Sequence, residues 1–361
     1  MLHRSRQAYI AQVALLFLGL HAPGLGCFQL WAQEVPQSAQ MSIGELRDAA
    51  QRALDLGRLD EARSLLTDLL KHERANVLAR LALIDVLMRL YKWEEAEKEV
   101  QVLQEIAPRN PRTFQMAAAV AFRRGQFIES EELASRAIRL DPAQIESYRI
   151  RALSRYMLQD QEGYRADLES ILERDPDNVD AHYHLGRYFY EKQLFEQGLA
   201  EFQRVTEIEP EHYRALYFLG WCYQAAGQLQ EAEKYYRASI EIIEKENAVY
   251  GWPYADLGDL LLSRGEQEEG LGWIYRSVRN DPQLPYAHFK YAGALLVNES
   301  SDEIERHLKR AIDLDPGYAE AYYLLGRYYG KIGDRKKAQM ALERFQELRE
   351  NPQPSPRGTR R

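Results

Sequence analysis

Pro108, Pro142, Pro176 and Pro210 stand 34 residues apart, and Pro282 and Pro316 repeat the same interval. A strict period of this length is the signature of stacked helix hairpins, and it overrides what chain length alone would suggest about domain count. From Pro210 to Pro282 the interval is 72 residues, twice 34 plus 4, so one further unit with a four-residue insertion near Asn247 to Gly251 restores the register. Extended in both directions, the ruler predicts nine units starting near residues 43, 77, 111, 145, 179, 213, 251, 285 and 319.

Three columns fill the ruler. The first reads Ala50, Ile84, Ala118, Ala152, Gly186, Gly220, Gly258, Ala292 and Gly326, small everywhere except Ile84. The second reads Ala62, Ala96, Ser130, Tyr164, Gly198, Ala232, Gly270, Ile304 and Ala338, small except at Tyr164 and Ile304. Two helices approach closely only where side chains are small, so these columns mark the seam between the first and second helix of each unit. The third column, Leu66, Val100, Ala134, Leu168, Phe202, Tyr236, Ile274, Leu308 and Leu342, is apolar or aromatic throughout. Between the seams sit Gly57, Gly125, Gly227, Gly265 and Gly333, where a helix needs a left-handed terminating residue. Four units carry Tyr91, Gln159, Gln193 and Glu299 there instead, and their turns are expected to end another way.

These residues resemble the tetratricopeptide repeat family. Leu185-Gly186 with Phe189, Leu219-Gly220 with Tyr223, and Leu325-Gly326 with Tyr329 match its Leu-Gly-x-x-Tyr element; Ala232 with Tyr236 and Ala338 with Leu342 match its Ala-x-x-x-Phe element. The resemblance runs from about Ile43 to Pro352 and implies an all-α fold, a right-handed α-solenoid of stacked antiparallel helix pairs. Each pair is too short to persist alone, since isolated helices under about 12 to 15 residues are marginal in water, and stacking supplies the missing burial.

The resemblance also implies that the first helix of each unit lines a concave surface that holds a protein or peptide. Projected onto this sequence, the lining positions give Tyr183, Arg187 and Tyr190 in the fifth unit, Arg214, Tyr217 and Trp221 in the sixth, Trp252 in the seventh, and Tyr286 and Phe289 in the eighth. Tyr, Trp and Arg are the residue types that dominate binding hot spots. The alternative is that these aromatic rings fill space between neighbouring first helices. The family's clamp for chaperone tails uses Lys and Asn where Tyr183 and Arg187 stand here, so no chaperone-tail partner is expected.

Before the repeats, His3-Arg4-Ser5-Arg6 precedes an apolar run from Ala8 to Leu20 and then Pro23-Gly24. Positive charge, a short apolar stretch and a breaker read as a signal peptide over 1–32, with 33–42 a polar linker. Gly24-Leu25-Gly26-Cys27 is similar to a bacterial lipoprotein box, with Gly24 departing from it, which makes Cys27 a candidate lipidation site. The other reading is an uncleaved anchor reaching towards Ala32. Both place the repeats, 43–352, in an exported setting: periplasmic, secreted or held at the outer face of a membrane. Residues 353–361, with prolines and arginines, are expected to be a disordered tail.

Little points to chemistry. His182 and His184 are two apart on one helix and so on different faces, and no metal, nucleotide or nucleophile motif is present. A net charge of -8 argues against general nucleic-acid binding but leaves protein partners open. With two cysteines, Cys27 and Cys222, packing and not disulfides must stabilise the fold. Asn298-Glu299-Ser300 fits a glycosylation sequon, relevant only to a eukaryotic secretory route. The sequence therefore predicts an exported interaction scaffold without enzymatic activity, metal or cofactor. The competing prediction is an envelope assembly factor of the kind that helps build pili or outer-membrane machines, acting through oligomeric contacts.

Overall fold

The computed structural model describes residues 41–298 and 301–351. The leader, Cys27, the C-terminal tail and most of the sequon lie outside the described residues. Among the described residues every regular element is helical. The described part divides at Ala181/His182 into two compact units.

In the first unit the helices pair as α1 (Ile43–Asp55) with α2 (Leu59–His72), α3 (Val77–Arg89) with α4 (Trp93–Ile106), α5 (Pro111–Arg123) with α6 (Phe127–Leu140), and α7 (Ile145–Met157) with α8 (Gln161–Leu172). The helix α9 (Val179–Glu191) crosses the division. In the second unit it is followed by α10 (Phe195–Ile208), α11 (Tyr213–Ala225), α12 (Leu229–Glu246), α13 (Trp252–Ser263), α14 (Gln267–Asn280), α15 (Pro285–Asn298), α16 (Asp302–Leu314), α17 (Ala319–Lys331) and α18 (Arg335–Glu350). The ruler prolines fall just beyond the ends of the second helices, where a residue without an N–H terminates the helix. Asp141, Asp281 and Asp315 precede three of them, and each carboxylate accepts the amide of the residue two further on at 3.0 to 3.2 Å, which fixes the turn. First helices open on polar caps: Ser42 forms a capping box with Glu45, and Asn76 and Asn110 accept amides of the first turn.

The small columns are buried seams. At Gly220 an added Cβ would lie 2.6 Å from Cδ1 of Tyr236, and at Gly258 it would lie 2.5 Å from Cγ1 of Ile274 and 2.6 Å from the carbonyl of Gly270. The exceptions Ile84 and Ile304 are fully buried and Tyr164 nearly so, each absorbed by its own pair.

One expectation about the turns needs correction. Tyr91, Gln159 and Gln193 do not end their helices differently; they take the same left-handed conformation as the glycines, with φ of 59, 65 and 60°. The following amide bonds back to the fifth preceding carbonyl in both sets, as Lys92 to Leu87 at 2.8 Å and Arg58 to Ala53 at 2.8 Å. This backbone pairing defines the helix stop, so glycine eases the turn without being required by it.

The four-residue insertion extends α12 to 18 residues, stopped by Asn247 at φ 52°. Asn280 then bridges the extra segment, accepting the amide of Tyr250 at 2.8 Å and donating to the carbonyl of Ala248 at 3.0 Å.

Candidate functional site

The first helices of the second unit carry a run of touching aromatic rings. Tyr190 of α9 meets Trp221 of α11 with centroids 4.5 Å apart, and Phe195 reaches the same indole at 5.1 Å. Trp252 of α13 stacks on Tyr286 of α15 at 4.8 Å. Phe289 of α15 meets Tyr318 at 5.0 Å. Tyr190, Trp221, Trp252, Tyr286 and Phe289 are all half-buried, so each keeps part of its ring at the surface.

The sequence grouped Tyr183 and Tyr217 with these rings, but the structure packs both inward. Tyr183 is 8% exposed, with its ring against His212 and Phe218. Tyr217 is 2% exposed, and its hydroxyl donates to Oδ2 of Asp256 at 3.0 Å. Arg187 pairs with Glu191 one turn along at 3.1 Å. Arg214 lies half-buried between Tyr213 and Tyr250, its Cζ 5.6 and 5.7 Å from their ring centroids.

Asp256 went unnoticed in the sequence and organises this region. It is buried on α13, and the hydroxyl of Tyr286 donates to its Oδ1 at 2.7 Å while Tyr217 holds Oδ2. One carboxylate thus ties α11, α13 and α15. Burial pushes its pKa up to about 7, against the opposing pull of the Tyr286 hydroxyl and the Lys290 ammonium. Lys290 itself pairs with Asp259 at 2.8 Å. The available signal was an acidic residue inside the otherwise apolar opening of α13.

The remaining titratable candidates serve packing. Nδ1 of His182 meets Glu201 at 2.6 Å, His184 is buried, and His212 caps α11 by accepting the amide of Ala215 at 3.1 Å. Cys222 is buried, and desolvation pushes its thiol up to about 12. No described helix is long and apolar enough to cross a membrane.

Comparison with known proteins agrees with this architecture. Models of the tetratricopeptide repeat match residues 53–120, the overlapping stretches 165–208 and 187–247, and residues 307–340. Anaphase-promoting complex subunit 3 of Schizosaccharomyces pombe is 20% identical over 74% of this chain and 39% of its own length. The Protein CTR9 homolog of Arabidopsis thaliana is 25% identical over 64% of this chain and 25% of its own. The chain therefore spans about two fifths and a quarter of the length of these relatives. Among solved structures, the crystal structure of the APC/C hetero-tetramer Cut9-Hcn1 superposes with a TM-score of 0.55 at 13% identity, covering 78% of this chain and 55% of that one, which speaks to fold alone. Matched repeats, an all-helical α-solenoid architecture and buried small-residue seams together mean that the chain belongs to the tetratricopeptide repeat family, whose helix-pair arrays are scaffolds for protein interactions.

Proposed function

We propose that this scaffold holds an extended segment of a partner protein against the first helices of its second unit, and that it works by holding and not by chemistry. The observation that carries this reading is the half-buried aromatic run of Tyr190, Trp221, Trp252, Tyr286 and Phe289. A core aromatic ring is normally sealed, whereas rings held in place by other rings yet only half-buried give large contact area at little entropic cost. Asp256 supports the run from beneath by fixing the helices that carry it. The basic N-terminus and the apolar run from Ala8 to Leu20 support a setting outside the cytoplasm.

The test uses the full chain as bait with Trp221→Ala and Trp252→Ala as controls. Partners retained by the wild type are expected to be lost by the double variant while circular dichroism keeps its helical signal. An unchanged partner set with an intact fold overturns the reading. Location is checked separately by sequencing the recovered N-terminus, where export with cleavage predicts a chain starting near Gln33 and lipidation predicts a mass increase at Cys27.

A further inference from the structure

Three helix pairs carry a polar clasp at one shared station, between the fourth residue of the first helix and the residue nineteen further on in the second. Arg80 on α3 pairs with Glu99 on α4, and Nδ1 of His182 on α9 meets Glu201 on α10 at 2.6 Å. In the eighth pair the station holds two imidazoles. Nδ1 of His288 on α15 stands 2.9 Å from Nδ1 of His307 on α16, with ring centroids 5.1 Å apart. A positive charge on Arg80 or His182 therefore faces a carboxylate, whereas one on His288 faces another base.

The outer contacts of the pair fix its protons. Nε2 of His288 lies 3.1 Å from the carbonyl of Pro282, which only accepts, so that nitrogen carries the hydrogen and Nδ1 of His288 keeps the lone pair. Nδ1–H of His307 then donates to it, which leaves the lone pair of His307 on Nε2, 3.8 Å from Glu303. A first added proton goes to that Nε2, beside the carboxylate, and leaves the central bond intact. A second has only Nδ1 of His288 to occupy, and there two N–H groups would point at each other. The closed clasp thus takes up one proton where two separated imidazoles take up two.

The surroundings do not accommodate the second proton. His288 is 6% exposed, and burial holds its pKa below the usual imidazole value. The Pro282 carbonyl and Asp281 of the preceding turn work against that shift, and Arg310 of α16 adds to it. For His307, burial and then His288 lower the pKa, Glu303 raises it and Arg306 lowers it. The ring of Tyr291 covers His307 at 4.8 Å, Tyr275 of α14 backs Tyr291 at 5.6 Å, and Tyr329 of α17 is turned to Glu305 at 2.8 Å.

We infer that the eighth helix pair is an acid-sensitive joint, in which the clasp of His288 with His307 holds α15 on α16 near neutral pH and gives way when both imidazoles are protonated. The carboxylate clasps of the second and fifth pairs have no such failure. The sign follows from proton uptake. Below the ordinary imidazole pKa of about 6.5 the opened pair binds more protons than the closed one, so the clasp's contribution is complete above that value and is lost as the pH falls through it. The joint is independent of whether the aromatic run on α15 holds a partner.

The test is hydrogen exchange of the full chain, read by mass spectrometry at about pH 7.5 and about pH 5, with each protection factor taken against the intrinsic chemical rate. Protection of α15 and α16 is expected to fall about tenfold on acidification, the equivalent of one pKa unit, while that of α9 and α10 holds. His307→Glu gives the eighth pair the carboxylate of the fifth, and its α15 and α16 should keep their protection in acid. His307→Gln serves if that variant does not fold, because its amide offers an N–H to a neutral imidazole and a carbonyl to a protonated one. Equal protection of α15 and α16 at both pH values in the wild type overturns the inference. So does an equal loss in the wild type and the folded variant, or a loss of the same size in α9 and α10, which would mark a general softening in acid.

Discussion

In the first unit the residues sixteen apart that share a helix-pair seam are Ala50 with Leu66, Ile84 with Val100, Ala118 with Ala134, and Ala152 with Leu168. In the second they include Gly186 with Phe202, Gly220 with Tyr236, Gly258 with Ile274, and Gly326 with Leu342. Where the first helix gives up its last methyl, the second helix can lay a ring or a branched chain flat on the exposed backbone. Space given up by one helix is there filled by the other, as close packing demands. The units also treat cations differently. In the first, Arg151 and Arg155 converge on Asp167, itself 1% exposed, at 2.6 and 3.0 Å, and Arg155 also holds Glu131 at 2.9 Å. Those cations are neutralised by carboxylates within the fold, whereas Arg214 in the second unit has no ion pair among the described residues and lies against the rings of Tyr213 and Tyr250. The first unit therefore closes this charge cluster on itself, and the second carries the longer series of half-buried aromatic rings.

The largest effects should come from breaking the seam exchange. Tyr236→Ala removes a fully buried ring and should cost about 3 to 5 kcal/mol in urea unfolding. Gly220→Ala drives a methyl into that ring and should cost about 1 to 3 kcal/mol. Placing Gly220→Ala in a Tyr236→Leu background recreates the Ala and Leu pair of the first unit, so its cost there should be smaller than alone. Additive costs across that double-mutant cycle would mean the two units do not differ by exchange of volume.

A smaller and pH-dependent effect should separate the units through Asp256. Its pKa is raised by burial to about 7 in the fold, against roughly 3.9 for an unfolded aspartate. A raised acid favours the fold while protonated, so its contribution is complete below about pH 4 and is lost as the pH climbs through 7. Relative to Asp256→Asn, the wild type should lose stability between pH 5 and pH 8. Parallel stability curves for the two proteins over that range would show that the carboxylate titrates normally.

How much of this could be read beforehand divides by distance. The period, the seams and the third column are local patterns, and each registers in the one-dimensional sequence because every repeat meets only near neighbours. The aromatic positions were legible as a set, but not which of them would be sealed: Tyr183 and Tyr217 differ from Tyr190 and Trp221 only in what adjacent helices bring against them. Asp256 looked like an ordinary polar residue because its two tyrosine donors lie 39 and 30 residues away. Arg214 was legible as a candidate for its residue type, while its lack of an ion pair among the described residues depends on every surrounding side chain at once. The Asn280 bridge escaped for a similar reason, since only the folded insertion presents Ala248 and Tyr250 to it.

The helix stops are where the two units agree, and they supply the smallest test. Gly227 takes φ 75° with open space where a Cβ would go, so Gly227→Ala meets no clash and carries only the backbone cost of a left-handed L-residue, about 1 kcal/mol. Gln159 already bears that cost at φ 65°. Gln159→Gly relieves it, but glycine adds freedom to the unfolded chain, which returns part of the gain. The net stabilisation should be about 0.5 kcal/mol, read as a raised urea midpoint at unchanged slope. A Gln159→Gly variant less stable than wild type would show that the glutamine side chain contributes to the stop, and the equivalence of the turns in the two units would then fail.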